Sequence, residues 1–490
     1  MLRAVVGVLA LGVLIASWIG SISDTEITGD AWHTLRMGFN LANQGVVSRT
    51  NPCGEETSCP DAVIASYPVA VPTNYREPVP AVVLAGWFKI LEAVHGPLSF
   101  AFLQQGPGIR LVKLSNIFWA LVLSLSVFGA LLALTQTYLV AVLGALFVGL
   151  RLSADKAYVK VDTLFTEPAA AALLALSSLL ALLAVRTGKG RYYLLAGVSF
   201  ALLTLTKAVF FYVCLGLIVL FAVLAVWRGG RGLTASGIDI SVMRVAAFLI
   251  GLVIVLGPWM ARNYYYFGSA QVSQRAGVIL MMRANYDQMS WTEYKGTFYA
   301  WAHSRAVREF IGRVLGFNEE DLKKGGRLQR LTDTHNEFRE AEKRAEARAA
   351  PEEAITYYSK ARAERRKIER DFASQGNPNF ESAADAELQR RAIGRILSDP
   401  IRHVLLTGPF LWRGSYFIGP VLVLFAVIAV WRRRLDLLTY AAPALGMVVL
   451  YAVATQNLLR FNAVADPIAI VCLIALTCSL VLWLFQRSSD

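Results

Sequence analysis

The sequence predicts an all-α polytopic membrane protein: a bundle of about ten transmembrane helices, two interfacial helices in its first exterior loop, and an exterior helical insertion. Three observations predict it. Of 490 residues, 56% are hydrophobic and 17% charged, against about 25% charged in soluble domains. The apolar residues fall in blocks near 4–22, 114–134, 138–150, 164–185, 192–206, 208–227, 245–260, 417–431, 437–454 and 464–485. Lys and Arg collect in alternate short loops. Several blocks reach the roughly 20 residues that cross a hydrocarbon core of about 30 Å. The blocks 138–150 and 417–431 are marginal and draw on flanking residues.

Along the chain, the first block follows Arg3 like a signal peptide. It carries Trp18 and no clear small-x-small cleavage site, so it reads as a retained span. The first exterior segment, residues 23–113, then places Trp32, Leu35, Phe39 and Ala42 at helical spacing, with Arg36 and Asn40 off that face. That pattern suits an amphipathic helix over 30–43 lying in the interface. A second such helix, 81–91, starts behind Pro78 and Pro80, since proline is tolerated at a helix start. Cys53 and Cys59 lie between the two, and an oxidising exterior predicts a disulfide joining them. Cys214, Cys472 and Cys478 fall inside spans and read as packing residues.

Orientation follows from the basic loops. With the N-terminus inside, the cytoplasmic connections contain Arg186, Lys189 and Arg191, then Arg228, Arg231 and Arg244, then Arg432, Arg433 and Arg434. Both termini then face the cytoplasm. This placement also explains much of the net charge of +13, because basic residues beside a bilayer meet anionic head groups; a nucleic-acid partner is excluded. The other long exterior segment is rich in Glu, Lys, Arg and Ala from about 318 to 372 and divided by Ala350-Pro351, which predicts a solvated helical hairpin. The organisation expected is a transmembrane module 1–261 containing the 23–113 loop, an exterior segment 262–409, and C-terminal transmembrane helices 410–490.

Ionisable residues gather at the exterior ends of the spans: Asp30, Arg76, Glu77, Asp155, Asp162, Glu167, Lys207, Arg262, Arg275, Arg460 and Asp466. The opposite ends hold few acids beyond Asp239 and Asp436. A rim of carboxylates and cations suits an anionic, membrane-borne substrate, with Arg or Lys on a phosphate and a carboxylate as general base.

Six short stretches stand out along the chain. In order, the first three are Gly29-Asp30-Ala31-Trp32-His33 with Gly45 after it, Tyr75-Arg76-Glu77-Pro78-Val79-Pro80, and Asp162-Thr163-Leu164-Phe165-Thr166-Glu167. The others are Thr204-Leu205-Thr206-Lys207, Pro258-Trp259-Met260-Ala261-Arg262-Asn263-Tyr264 with Phe267-Gly268, and Arg460-Phe461 with Asp466-Pro467. In this order they resemble GT-C glycosyltransferases of the protein-mannosyltransferase-like and aminoarabinose-transferase-like branch. The resemblance covers roughly residues 1–315 and 390–485 and leaves the charged hairpin outside. It departs at Ala31, where those enzymes usually carry a second acid.

The resemblance implies a GT-C-like bundle and transfer of a monosaccharide, hexosyl or pentosyl, from a polyprenyl-phosphate donor to a lipid, glycan or protein hydroxyl. It makes Asp30 the inverting general base and places the site on the periplasmic face of a bacterial inner membrane. Arg76, Glu77, Asp155, Asp162, Glu167, Lys207, Arg262 and Arg460 are the expected contacts to donor phosphate or acceptor. No nucleotide cofactor is implied, and no Walker or dinucleotide Gly-rich motif is present. Asp155 and Asp162 could ligate a divalent cation, but two carboxylates without a third fixed ligand define no metal site.

Plainer roles stand beside these. Asp30 suits a helix N-cap, Lys207 a snorkelling span end, Arg262 a Trp-Arg interface anchor, and His33 a structural interfacial residue. The alternative function is a carrier or flippase for lipid-linked sugars, although carriers place ionisable groups near the midplane rather than at one rim.

Overall fold

Every apolar block folds as helix, because in lipid a segment must satisfy its own backbone N–H and C=O groups. The computed structural model describes residues 1–53, 67–154, 158–227, 242–332, 336–377 and 379–489. Cys59, Asp155, Arg228, Arg231 and Asp239 lie outside them. In chain order the helices are α1 Leu2–Ser21, α2 Asp30–Gln44, α3 Val79–His95, α4 Phe100–Leu103, α5 Gly106–Lys113, α6 Asn116–Thr135, α7 Tyr138–Arg151, α8 Glu167–Thr187, α9 Gly190–Thr204, α10 Val209–Trp227 and α11 Val242–Phe267. They continue as α12 Ala276–Tyr286, α13 Trp291–Ala300, α14 Arg305–Leu315, α15 Asn336–Arg348, α16 Tyr357–Ser374, α17 Phe380–Ser398, α18 Pro400–Ser415, α19 Ile418–Trp431, α20 Leu435–Ala454, α21 Leu459–Asn462 and α22 Asp466–Ser489. Among the described residues there is no strand.

The chain is an all-α polytopic membrane protein, with fewer full-length spans than apolar blocks. By length and composition, six of the described segments can cross a membrane, or seven if α18 and α19, bent by 108°, form one broken span. Helices α7 and α9 have only 14 and 15 residues.

Contacts divide the chain into two units. The first holds Met1–Val272, Pro420–Gly446 and Ala463–Asp490. Within it, α9 packs closely on α11 because Gly197 and Gly251 face the partner backbone; a methyl on either would strike the carbonyl of Phe248 or of Leu194. Polar contacts sort its helix ends into two sets, as alternating spans require. At one set, Lys113 before α6 meets Asp162 before α8, Arg151 at the end of α7 meets Asp466 at the start of α22, and Lys207 beyond α9 meets Glu167 at the start of α8. At the other, Arg186 near the end of α8 bonds to Asp436 in the first turn of α20 and to the Ala133 carbonyl of α6.

The apolar face of α2 does not lie open. Leu35 and Phe39 are fully buried, in a core shared with Leu84 and Phe88 of α3 and Phe100 of α4. The two helices expected in the first exterior loop pack on one another. The helix also starts one residue earlier than the cap reading needs: its N-cap is Gly29, at φ 59°, and Asp30 is its first residue. Asp30 makes no cap.

The second unit comprises Ser273–Gly419 and Met447–Asn462. Here the expected solvated hairpin is corrected. Its two arms are α15 and α16, but Ala361 and Ile368 of α16 are buried against Val278, Met281 and Met282 of α12 and Leu388 of α17. That arm is a core helix, not an appendage. The unit is stitched by buried charge. The Glu293 carboxylate accepts from Arg330 at 2.7 and 2.5 Å and from the Ser290 backbone N–H at 2.8 Å. Burial raises its pKa, but the Arg330 and Ser290 hydrogen bonds outweigh that and hold it below the usual 4.5. A depressed folded-state value gives stability that is present above the ordinary value and lost as pH falls through the lowered one. The melting-temperature gap between wild type and Glu293→Gln is thus expected to be widest at neutral pH and to close below pH 4.5. A gap that ignores pH would refute the assignment.

Candidate active site

The site is built on the segment Thr73-Asn74-Tyr75-Arg76-Glu77-Pro78 in the first unit. Pro78 and Pro80 begin α3, since they lack donors a helix start does not need. The residues around them are thus left to bond outward, to α2, α11 and the junction between α9 and α10. The Arg76 guanidinium pairs with the Asp30 carboxylate in the first turn of α2. Glu77 Oε1 accepts from the Ala208 N–H, 3.0 Å away, just before α10. The Val79 N–H donates to the Leu205 carbonyl after α9, at 3.1 Å. On the other side, the Thr73 carbonyl accepts from Arg262 of α11 at 3.0 Å, and the Thr73 N–H donates to Val47 O at 3.0 Å.

Burial grades these groups. The Arg76 side chain is 10% exposed and its partner Asp30 38%. A buried cation therefore grips a carboxylate that remains partly open to a ligand. One turn along α2, His33 meets the edge of the Tyr75 ring at 5.9 Å, and Arg49 lies over that ring at 3.7 Å. Arg262 lies against Trp259, Tyr266 and Phe267, with ring distances of 4.6, 5.2 and 5.6 Å. The Pro-Trp-x-x-Arg-Asn stretch also works as a brace: Trp259 Nε1 donates to Val272 O at 2.9 Å and Asn263 Nδ2 to Gln271 O at 2.7 Å. Lys207 and Glu167 are paired at 3.2 Å and nearly buried, with Glu167 in the first turn of α8, where a carboxylate also meets the positive helix end.

The structure thus gathers Asp30, Arg76, Glu77 and Arg262 about one segment, with Lys207 and Glu167 at the adjoining α9–α10 junction. Asp162 is engaged elsewhere. Its oxygens accept from Lys113 Nζ at 2.9 Å and from the Ser23 N–H and hydroxyl, both at 2.8 Å, so it pins the start of the exterior segment. Arg460 belongs to the second unit, where its guanidinium lies 5.6 Å from the Phe461 ring. Cys53 is disulfide-bonded. Among the described residues no group of three or more His, Cys, Asp or Glu side chains could hold a metal ion.

Sequence reasoning missed Lys113, Arg49 and Asn74. Lys113 ends an amphipathic turn before a span, where a lone lysine signals nothing in itself. Asn74 is fully buried, and among the described residues neither its amide nitrogen nor its oxygen has a hydrogen-bond partner. An unmatched buried amide costs free energy that an apolar residue of similar shape does not. Asn74→Leu is expected to stabilise the chain by about 1 kcal/mol, read as a higher melting temperature in detergent; a fall would overturn that expectation.

No family model matches the sequence, and no curated protein does. Among solved structures, the chain is similar to the archaeal oligosaccharyltransferase AglB from Archaeoglobus fulgidus, in complex with an inhibitory peptide and a dolichol-phosphate. The TM-score is 0.48 and the identity 14%, over 100% of this chain and 52% of that one. The chain spans about half the length of that protein. A likeness at this level decides neither fold family nor activity, so the chemistry rests on the residues themselves.

Proposed function

We propose that this chain is a membrane glycosyltransferase with a GT-C-like bundle. It moves one sugar from a polyprenyl-phosphate donor to an acceptor hydroxyl at the periplasmic face of a bacterial inner membrane. The observation that carries the reading is the half-open Asp30 carboxylate, gripped by buried Arg76 on a segment that Arg262 also holds. In the reaction, Asp30 takes the acceptor proton as the hydroxyl oxygen bonds to the anomeric carbon. The bond from that carbon to the phosphate oxygen breaks on the opposite face, inverting the centre. The lipid phosphate leaves with the electron pair. Its growing negative charge is met by Arg262 and Lys207, cations that act most where charge develops in the transition state, while Arg76 holds the base in place.

The resemblance in the six sequence stretches supports this reading, and so does the basic character of the loops on the opposite side. Formation of a new glycosidic bond tests it. Purified chain in detergent, given radiolabelled polyprenyl-phosphate sugars and a panel of acceptors, is expected to yield labelled product. Movement of labelled lipid across proteoliposomes with no new bond would instead favour the carrier.

A further inference from the structure

Helix α14 is built inside out. Its eleven residues, Arg-Ala-Val-Arg-Glu-Phe-Ile-Gly-Arg-Val-Leu, carry an apolar stripe at Val307, Phe310 and Val314. In water such a stripe turns toward the body of the protein. Here the body is met by Gly312, the helix's one fully buried residue, whose added methyl would collide with the Phe317 carbonyl and the Tyr299 ring, and by the partly buried Ile311 beside it. The stripe points away: Val307 is 36% exposed, Phe310 62% and Val314 65%. The helix is firmly formed, with Ser304 Oγ accepting from the Val307 N–H at its start and left-handed Gly316 at its end. Its polar residues are three arginines, Arg305, Arg308 and Arg313, against the single acid Glu309.

We propose that α14 is a membrane-surface anchor of the second unit, lying in the lipid interface with its stripe among the acyl chains and its arginines at lipid phosphates. An apolar face flanked by net positive charge is the composition that binds anionic bilayers. The same unit offers a second lipid-ready surface. Ile393, Leu397, Ile401, Val404 and Leu405 are exposed along α17 and into α18. Helix α18 then continues into α19, and together the two are apolar enough for a membrane segment.

The inference stands apart from the reaction and is tested on the full chain in nanodiscs of phosphatidylethanolamine and phosphatidylglycerol. p-Benzoylphenylalanine replaces Phe310 in one sample. In another it replaces Val253, a 66% exposed residue of the spanning helix α11, as the control that must react with lipid. After irradiation, mass spectrometry is expected to find phospholipid acyl-chain adducts at both positions. Arg305→Gln with Arg313→Gln is expected to cut the position-310 yield several-fold. A crosslink from position 310 to a second copy of the chain would overturn the anchor, and so would no adduct there while position 253 reacts. An unchanged yield in the double variant would overturn the role of the arginines.

Discussion

Asp30→Asn is expected to abolish sugar transfer while leaving the chain folded and able to bind donor. Removing a general base costs about 10²- to 10⁴-fold in rate, so kcat should fall by that factor with little change in KM for the donor. The substitution separates the two roles the sequence allows. Asn caps a helix as well as Asp does, so a capping Asp30 would give a near-normal enzyme. The structure already weighs against capping, because Gly29 occupies that position and the carboxylate turns to Arg76. Activity within about threefold of wild type, well short of the loss expected for a base, would remove Asp30 from the chemistry and leave Glu77 as the carboxylate nearest in sequence to Arg76.

The largest effect on stability is expected at Asp287. The Arg283 guanidinium is completely buried and meets Asp287 Oδ1 at 2.6 Å. The second carboxylate oxygen, Oδ2, lies 2.7 Å from His403 Nδ1. His403 Nε2 donates to the Val453 carbonyl at 3.0 Å, and Arg283 Nε to the Ala452 carbonyl at 3.2 Å. One aspartate therefore joins α12 and α18 through two basic groups, both also tied to the end of α20. Asp287→Ala strands Arg283 without its counter-charge, and breaking a buried pair in this way costs about 3–5 kcal/mol. Thermal melts of the full chain in detergent should show a large drop, with Asp287→Asn in between. A shift of only a degree or two would mean that backbone carbonyls alone satisfy Arg283.

Much of the architecture is legible in the sequence, because membrane burial writes itself in long uncharged blocks. Each of the ten became helix. The start of α3 is equally readable, since Pro78 and Pro80 allow few alternatives. What the pattern conceals is packing by small residues. The buried face of α16 mixes Ala361, Ala363 and Ile368 with Tyr357, Ser359, Glu364 and Glu369; small and polar residues give almost no periodic apolar signal, so a core helix read as a solvated one. Span length was overestimated for a related reason: apolar character says that a segment is buried in lipid, not that it is long enough to cross. At the site, residue types at span ends could be named, but their pairings could not. Lys113 finds Asp162 across 49 residues, and Arg76 finds Asp30 across 46. Such contacts are set by how helices pack, which local spacing does not encode.

The shortness of α7 has a consequence for the lipid beside it. Its 14 residues rise only about 21 Å at 1.5 Å each, against a hydrocarbon core of about 30 Å. Leu139, Leu143, Phe147 and Leu150 are exposed along one side of it, so this short helix faces acyl chains. The mismatch draws the two leaflets together locally, at a cost of a fraction of a kcal/mol per Å. Head groups beside α7 are therefore expected to sit lower than in the surrounding bilayer, near the level of the Arg151–Asp466 pair at its end. If the proposed transfer is right, this thinned strip is where the phosphate of a lipid-linked donor would come closest to the protein.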